Sequence, residues 1–97
     1  MYTVIFKATT KELDTEYFKM AKRMRDLALN EYGCLEFTAV TEGSSEIAIS
    51  YWESMEQISK WKENSEHLVA QELGISKWYE DYRVEIVKVV SSYGKSS

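Results

Sequence analysis

The 97-residue chain is long enough for one domain, and its 44% apolar and 29% charged residues give a globular rather than a disordered balance. Sixteen acidic against twelve basic residues leave a net charge of -4. That argues against a nucleic-acid binder, which needs Lys and Arg to neutralise phosphates, and against docking on an anionic membrane. No apolar run nears the ~18 residues of a membrane span. The N-terminal stretch MYTVIFKATT has neither the basic region nor the small-residue cleavage site of a signal peptide. Cys34 is the one cysteine, so no internal disulfide can form, and a reducing cytoplasm is the expected setting. A chain of this size builds a modest core. Its three Trp, seven Tyr and three Phe therefore call for a partner surface or a pocket to bury them.

Taken in chain order, Tyr2 to Thr9 alternates as a first strand, with Tyr2, Val4, Phe6 and Ala8 on one side. Asp14 or Thr15 caps a helix to about Tyr32, whose apolar stripe is Tyr17, Met20, Ala21, Met24, Leu27 and Ala28. Gly33 ends it where the chain must turn left-handed. Cys34 to Thr41 and Glu46 to Trp52 read as strands two and three, joined by a hairpin loop at 42–45. Ser54 opens a second helix, and Gln57 three residues on completes a capping box. Met55, Ile58 and Trp61 form its apolar side. The pattern pauses at Asn64-Ser65, which predicts a break and a further short helix capped by Ser65 and running to Gly74. A short turn over Ile75 to Glu80 leads into strand four, Tyr82 to Val90. Residues 1–91 form the expected domain, and the small polar segment 92–97 a flexible tail.

The order β-α-β-β-α-β predicts an α+β, ferredoxin-like fold: a four-stranded antiparallel sheet with helices on one face. Applying the right-handed crossover rule puts strands one and three in the centre as parallel neighbours. The strands are apolar on both sides. Ile47, Ile49 and Tyr51 oppose Ala48, Ser50 and Trp52, and Tyr82, Val84 and Ile86 oppose Val87 and Val89. Two helices cover only one face, so the other is expected to pack on an identical chain as a homodimer.

Chemistry is sparse. The glycines are isolated and form no phosphate-cradling loop, and no Cys or His cluster suits a zinc or iron–sulfur site. The stretch from Ser50 to Gln71 concentrates two Trp, one Tyr, one Asn and the single His. A helix break there would leave a mostly apolar cavity between helix and sheet, as small-molecule pockets require.

The pieces Ser50-Tyr51-Trp52-Glu53-Ser54, Trp61-Lys62-Glu63-Asn64-Ser65-Glu66-His67 and Trp78-Tyr79-Glu80-Asp81-Tyr82 resemble the antibiotic biosynthesis monooxygenase (ABM) domain family. The likeness extends to Tyr2-Thr3-Val4-Ile5-Phe6 and Tyr32-Gly33-Cys34-Leu35-Glu36-Phe37. It implies a dimeric α/β barrel with one pocket per subunit, and a cofactor-independent monooxygenase acting on a small aromatic or quinol-type ring. On that resemblance His67, Asn64 and Trp61 are the candidate catalytic residues, and Tyr51, Trp52, Gln71, Tyr82 and Arg83 the candidate substrate-binding ones. Plainer roles stand beside these: Trp61 as core, Asn64 serving backbone groups at the helix break, and His67 as a surface or structural residue. For Trp52, Trp78, Tyr79 and Tyr82 the plainer role is core or interface packing, and for Arg83 pairing with a carboxylate. Two other functions are implied as alternatives: a non-catalytic homodimer binding a small hydrophobic ligand, and a haem-binding, haem-degrading monooxygenase. The haem pattern asks for an Asn in strand one and a His ten residues after the helix-two Trp. Strand one has no Asn, and the tenth residue after Trp61 is Gln71. No cofactor is expected otherwise.

Overall fold

A computed structural model describes residues 1–72 and 75–95, with side chains for 1–66 and 76–95. The elements are β1 (Tyr2–Thr10), α1 (Thr15–Glu31), β2 (Glu36–Glu42), β3 (Ser45–Trp52), α2 (Met55–Glu72), α3 (Ile75–Trp78) and β4 (Tyr79–Lys88). The fold is the ferredoxin-like α+β arrangement, a four-stranded antiparallel sheet in the order β2-β3-β1-β4.

Each helix starts and stops for a local reason. Asp14 caps α1, its Oδ1 accepting the Tyr17 backbone N–H at 2.9 Å. At the other end the Tyr32 N–H returns to the Leu27 carbonyl and the Cys34 N–H to the Ala28 carbonyl. Gly33 supplies the positive φ of 82° between them. The capping box of α2 is present in both directions. The Gln57 N–H donates to Ser54 Oγ at 3.2 Å, and the Ser54 N–H to Gln57 Oε1 at 3.3 Å.

The predicted break at Asn64-Ser65 does not occur, and α2 is continuous from Met55 to Glu72. Ser65 Oγ donates to the Trp61 carbonyl at 2.7 Å and also to Lys62 at 3.3 Å, so its hydroxyl is satisfied inside the helix instead of capping a new one.

Strands one and three are central, as expected, but they are antiparallel rather than parallel neighbours, with Tyr2 opposite Trp52 and Thr9 opposite Ser45. Each helix crossover returns the chain to the same end of the sheet. The tight Gly43-Ser44 turn then reverses it, so β1 runs parallel to β2, and β3 separates the two. β2 starts at Glu36, two residues later than the sequence suggested, because Cys34 is spent closing the end of α1. β4 starts at Tyr79, inside the predicted turn, because a register shift between Thr9 and Thr10 lets Tyr79 pair with Thr10. Residues 89–95 carry no regular secondary structure.

Directly paired residues share a face, which divides the sheet cleanly. The helix side carries Val4, Phe6 and Ala8, then Glu46, Ala48, Ser50 and Trp52, then Phe37, Ala39 and Thr41, and at the β4 edge Tyr82, Val84 and Ile86. Two buried clusters lie there. One joins Ala8, Tyr17, Met20, Trp78 and Tyr79. The other joins Val4, Ala28, Cys34, Trp52 and Ile58. The opposite side has no helix over it and presents Ile5, Ile47, Ile49, Tyr51, Val40 and Val87, flanked by Lys7, Arg83 and Glu85. Ile47 and Val87 remain exposed in the single chain.

Candidate functional site

The first turn of α1, the start of β3 and the α3–β4 junction converge on one polar row inside the helix–sheet layer. Tyr17 enters from α1 next to its cap. Asp14 also accepts the Trp78 indole N–H at 3.2 Å and pairs with Lys77 at 2.9 Å, tying α1 to α3. The Lys77 ammonium, followed by the Tyr17 backbone N–H, holds the Asp14 carboxyl below its ordinary range. With the cap fixed, Tyr17 packs edge-on to Trp78 at 5.5 Å and to Tyr79 at 6.0 Å. The Tyr79 hydroxyl donates to the Tyr17 oxygen at 3.4 Å, and the Tyr17 hydroxyl donates through a short bond to Glu46 Oε1. Glu46 Oε2 is buried, and no hydrogen-bond partner reaches it among the described residues.

Burial, then the bond to Glu46, drives the Tyr17 phenol far above its ordinary value. Burial pushes Tyr79 up to about 12. Both phenols are therefore neutral donors at physiological pH, arranged donor to donor to acceptor. Phe6 meets Tyr79 edge-on at 5.4 Å, and Tyr82 stacks on Phe6 at 6.0 Å, so the row sits among aromatic rings.

Tyr17 is recognised in the sequence only as part of an apolar stripe, and Glu46 only as the first residue of strand three. A usable signal was present: Glu46 has the same parity as Ala48, Ser50 and the wholly buried Trp52, which puts an acid on the covered face.

The residues singled out in the sequence do not form one cluster within a subunit. Trp61 and Asn64 lie together on α2. The Trp61 ring packs between Trp52, at 5.4 Å, and Phe37, at 6.1 Å, and its N–H donates to the Met24 carbonyl at 3.0 Å, so ring and donor are both engaged. Trp52 is 0% exposed, with its N–H on Ser50 Oγ at 2.8 Å, a core position. Asn64 lines an open hollow of about 550 Å³ with Tyr32, Lys60 and Glu63. Tyr82 is half-exposed on the helix side, beside the Tyr79 end of the polar row. Tyr51 and Arg83 lie on the opposite face of the sheet, and Arg83 Nε pairs with Glu85 at 3.4 Å, as the plainer reading of that residue anticipates. The side chains of His67 and Gln71 lie outside the described residues. Cys34 is buried, its thiol donates to the Glu36 carbonyl at 3.2 Å, and burial raises its pKa, so it serves as a small core residue.

No family model matches the chain. It is 43% identical over 89 residues to the uncharacterized protein YqjZ of Bacillus subtilis, covering 91% of this chain and 78% of that protein. It is 27% identical over 97 residues to the jasmonate monooxygenase ABM of Pyricularia oryzae. That match covers 95% of this chain and 45% of the relative, so the chain spans less than half of the fungal protein's length. Among solved structures, it is similar to SnoaB, a cofactor-independent oxygenase from Streptomyces nogalater, with a TM-score of 0.77 over 97% of both chains at 11% identity. It is also similar to a solved antibiotic biosynthesis monooxygenase, with a TM-score of 0.73 over 94% of this chain and 100% of the other at 16% identity. At such identities the two structures speak to the fold.

Proposed function

We propose that the chain, which belongs to one family with YqjZ of Bacillus subtilis and shares the fold of antibiotic biosynthesis monooxygenases, is a cofactor-independent monooxygenase acting on a small aromatic or quinol-type ring. The relatives support the coarser role, a monooxygenase or a small-ligand-binding domain. The finer reading is supported by one observation: Trp61 and Asn64 lie together on α2, the Trp61 ring against Trp52 and Phe37 and Asn64 at an open hollow of about 550 Å³. Apolar walls with a few converging polar groups suit a flat ring that carries a hydroxyl.

In the proposed reaction the ring binds between the helices and the sheet against the Trp61 side of α2, with Asn64 fixing a ring oxygen. His67 or the helix-side Tyr82 assists removal of the phenolic proton. Gln71 and Trp52 complete the set of residues proposed to shape the substrate's surroundings, while Tyr51 and Arg83 lie on the other face of the sheet. The electron-rich ring then reacts with dioxygen. One oxygen atom enters the ring and the other leaves as water, with two protons and two electrons drawn from the ring's own bonds. No cofactor is assigned.

A second copy of the chain is proposed to cover the open sheet face. Ile47 and Val40 there are 37% and 59% exposed in one subunit. A contiguous apolar surface of this kind marks an interaction site, and a two-fold partner is self-complementary by construction. That dimer would also bring Tyr51 and Arg83, isolated in one subunit, against the partner.

The mechanism is tested by turnover of His67→Ala and Asn64→Ala proteins with intact circular dichroism. Loss of turnover in both is expected, and unchanged rates in both would remove the proposed roles.

A further inference from the structure

We infer that Tyr32 is a further substrate-binding residue, its phenol hydrogen-bonding a second oxygen of the ring whose first oxygen Asn64 fixes. The inference rests on the reading that the ring is held at Asn64.

The end of α1 is laid against one flank of α2. Tyr32 closes α1, its N–H on the Leu27 carbonyl at 3.2 Å. Gly33 follows with its φ of 82°, and a Cβ there would meet Gln57 Nε2 at 2.6 Å, so the chain next to Tyr32 touches the first turn of α2. Gln57, Lys60 and Asn64 follow one another at steps of three and four, which stacks them on a single flank of that helix. Asn64 therefore lies about 10 Å along the flank from the point where α1 abuts it. The hollow lined by Tyr32, Lys60, Glu63 and Asn64 opens on this flank, and its volume of about 550 Å³ suits a small molecule.

Two of the four lining groups are already provided for. The Lys60 ammonium pairs with Glu56 at 3.1 Å, and Glu63 is exposed to water. Tyr32 and Asn64 are half-buried, and no hydrogen bond among the described residues engages either side chain. A phenol and an amide can each donate and accept. The Tyr32 ring packs against the buried cluster of Val4, Ala28, Cys34, Trp52 and Ile58, which Trp61 also borders. Its hydroxyl is therefore carried on an anchored ring, on the side of the hollow where the aromatic residues lie. A phenol held in this way bonds to an oxygen on a flat ring, hydroxyl or carbonyl alike, and gains nothing from a bare carbon edge. Two such groups around one hollow fit a ring that carries oxygens at two positions.

Isothermal titration of the full chain under nitrogen with naphthohydroquinone and with α-naphthol tests this. The wild-type protein should bind the hydroquinone about three- to tenfold tighter than the naphthol, the discrimination given by one added hydrogen bond. Tyr32→Phe keeps the ring and its packing and removes only the hydroxyl. It should reduce the preference to the statistical advantage of two equivalent hydroxyls, while leaving the affinity for the naphthol, held at Asn64, unchanged. A wild-type preference no larger than that statistical advantage, or a preference that Y32F leaves undiminished, overturns the role of Tyr32 and leaves the reading at Asn64 standing. Binding of neither ring overturns both.

Discussion

Tyr17 and Glu46, 29 positions apart, are joined by a hydrogen bond from the phenol to the carboxylate that locks the first turn of α1 onto the start of β3. Removing the donor leaves a buried carboxylate with no partner on either oxygen, and that costs more than the bond itself contributes. Tyr17→Phe is expected to lower stability by about 1–3 kcal/mol, read as a lower urea midpoint with an unchanged slope. In Tyr17→Phe/Glu46→Leu both polar partners are gone, and much of the loss should be recovered. A double variant as unstable as the sum of the single losses would contradict this account of the pair.

The same burial predicts a pH dependence. An unfolded tyrosine ionises near its ordinary value of 10.0, while folded Tyr79 holds its proton to about 12 and Tyr17 higher still. Between those values the unfolded state has released protons that the folded state retains, so stability falls as pH rises. Below pH 10 the contribution is complete. Tyrosinate absorbance should therefore show one phenol that ionises near pH 12 and another that ionises only on unfolding, and Tyr17→Phe should remove the second.

Ile49 sits on the open face, paired with Ile5 on β1 and Thr38 on β2. Ile49→Glu places a charge in the middle of the proposed two-fold contact at little cost to a single subunit. The wild-type chain is expected to sediment as a dimer at micromolar concentration, and I49E at half that mass. A wild-type monomer under those conditions would contradict the dimer.

Gly33 is the junction where α1 ends beside the start of α2. Its φ is +82°, and a Cβ there would lie 2.6 Å from Gln57 Nε2, the side chain that completes the capping box of α2. Gly33→Ala should cost about 1–2 kcal/mol from the backbone alone, with added loss through the displaced Gln57. Thermal unfolding of G33A beside Gln57→Ala checks this: because both changes act on one cap, their losses should fall short of adding.

Periodicity and caps made most of the architecture readable. Asp14, Gly33 and the Ser54–Gln57 box mark helix ends by local chemistry, and the helix-side face of β3 follows from the parity of Ser50 and Trp52. The errors arose where local signals were ambiguous. Ser65 carries the same hydroxyl whether it caps a helix or bonds back within one, and only the Trp61 carbonyl above it decides. Tyr79 joins β4 through a register shift that no local pattern announces. The crossover rule predicts parallel neighbours, whereas the strands that run parallel here are β1 and β2, with β3 between them. The candidate site was less readable still. Tyr17 and Glu46 are each ordinary for their element, and their meaning lies in a contact across the fold.

The proposed activity is tested most directly by oxygen consumption of the purified, chelator-treated chain with naphthohydroquinone. A saturable uptake above autoxidation, proportional to protein concentration and abolished by heat unfolding, is the predicted result. Uptake no faster than the protein-free control, from a folded dimer that binds the ring, would contradict the oxygenase reading and leave a small-ligand-binding domain in its place.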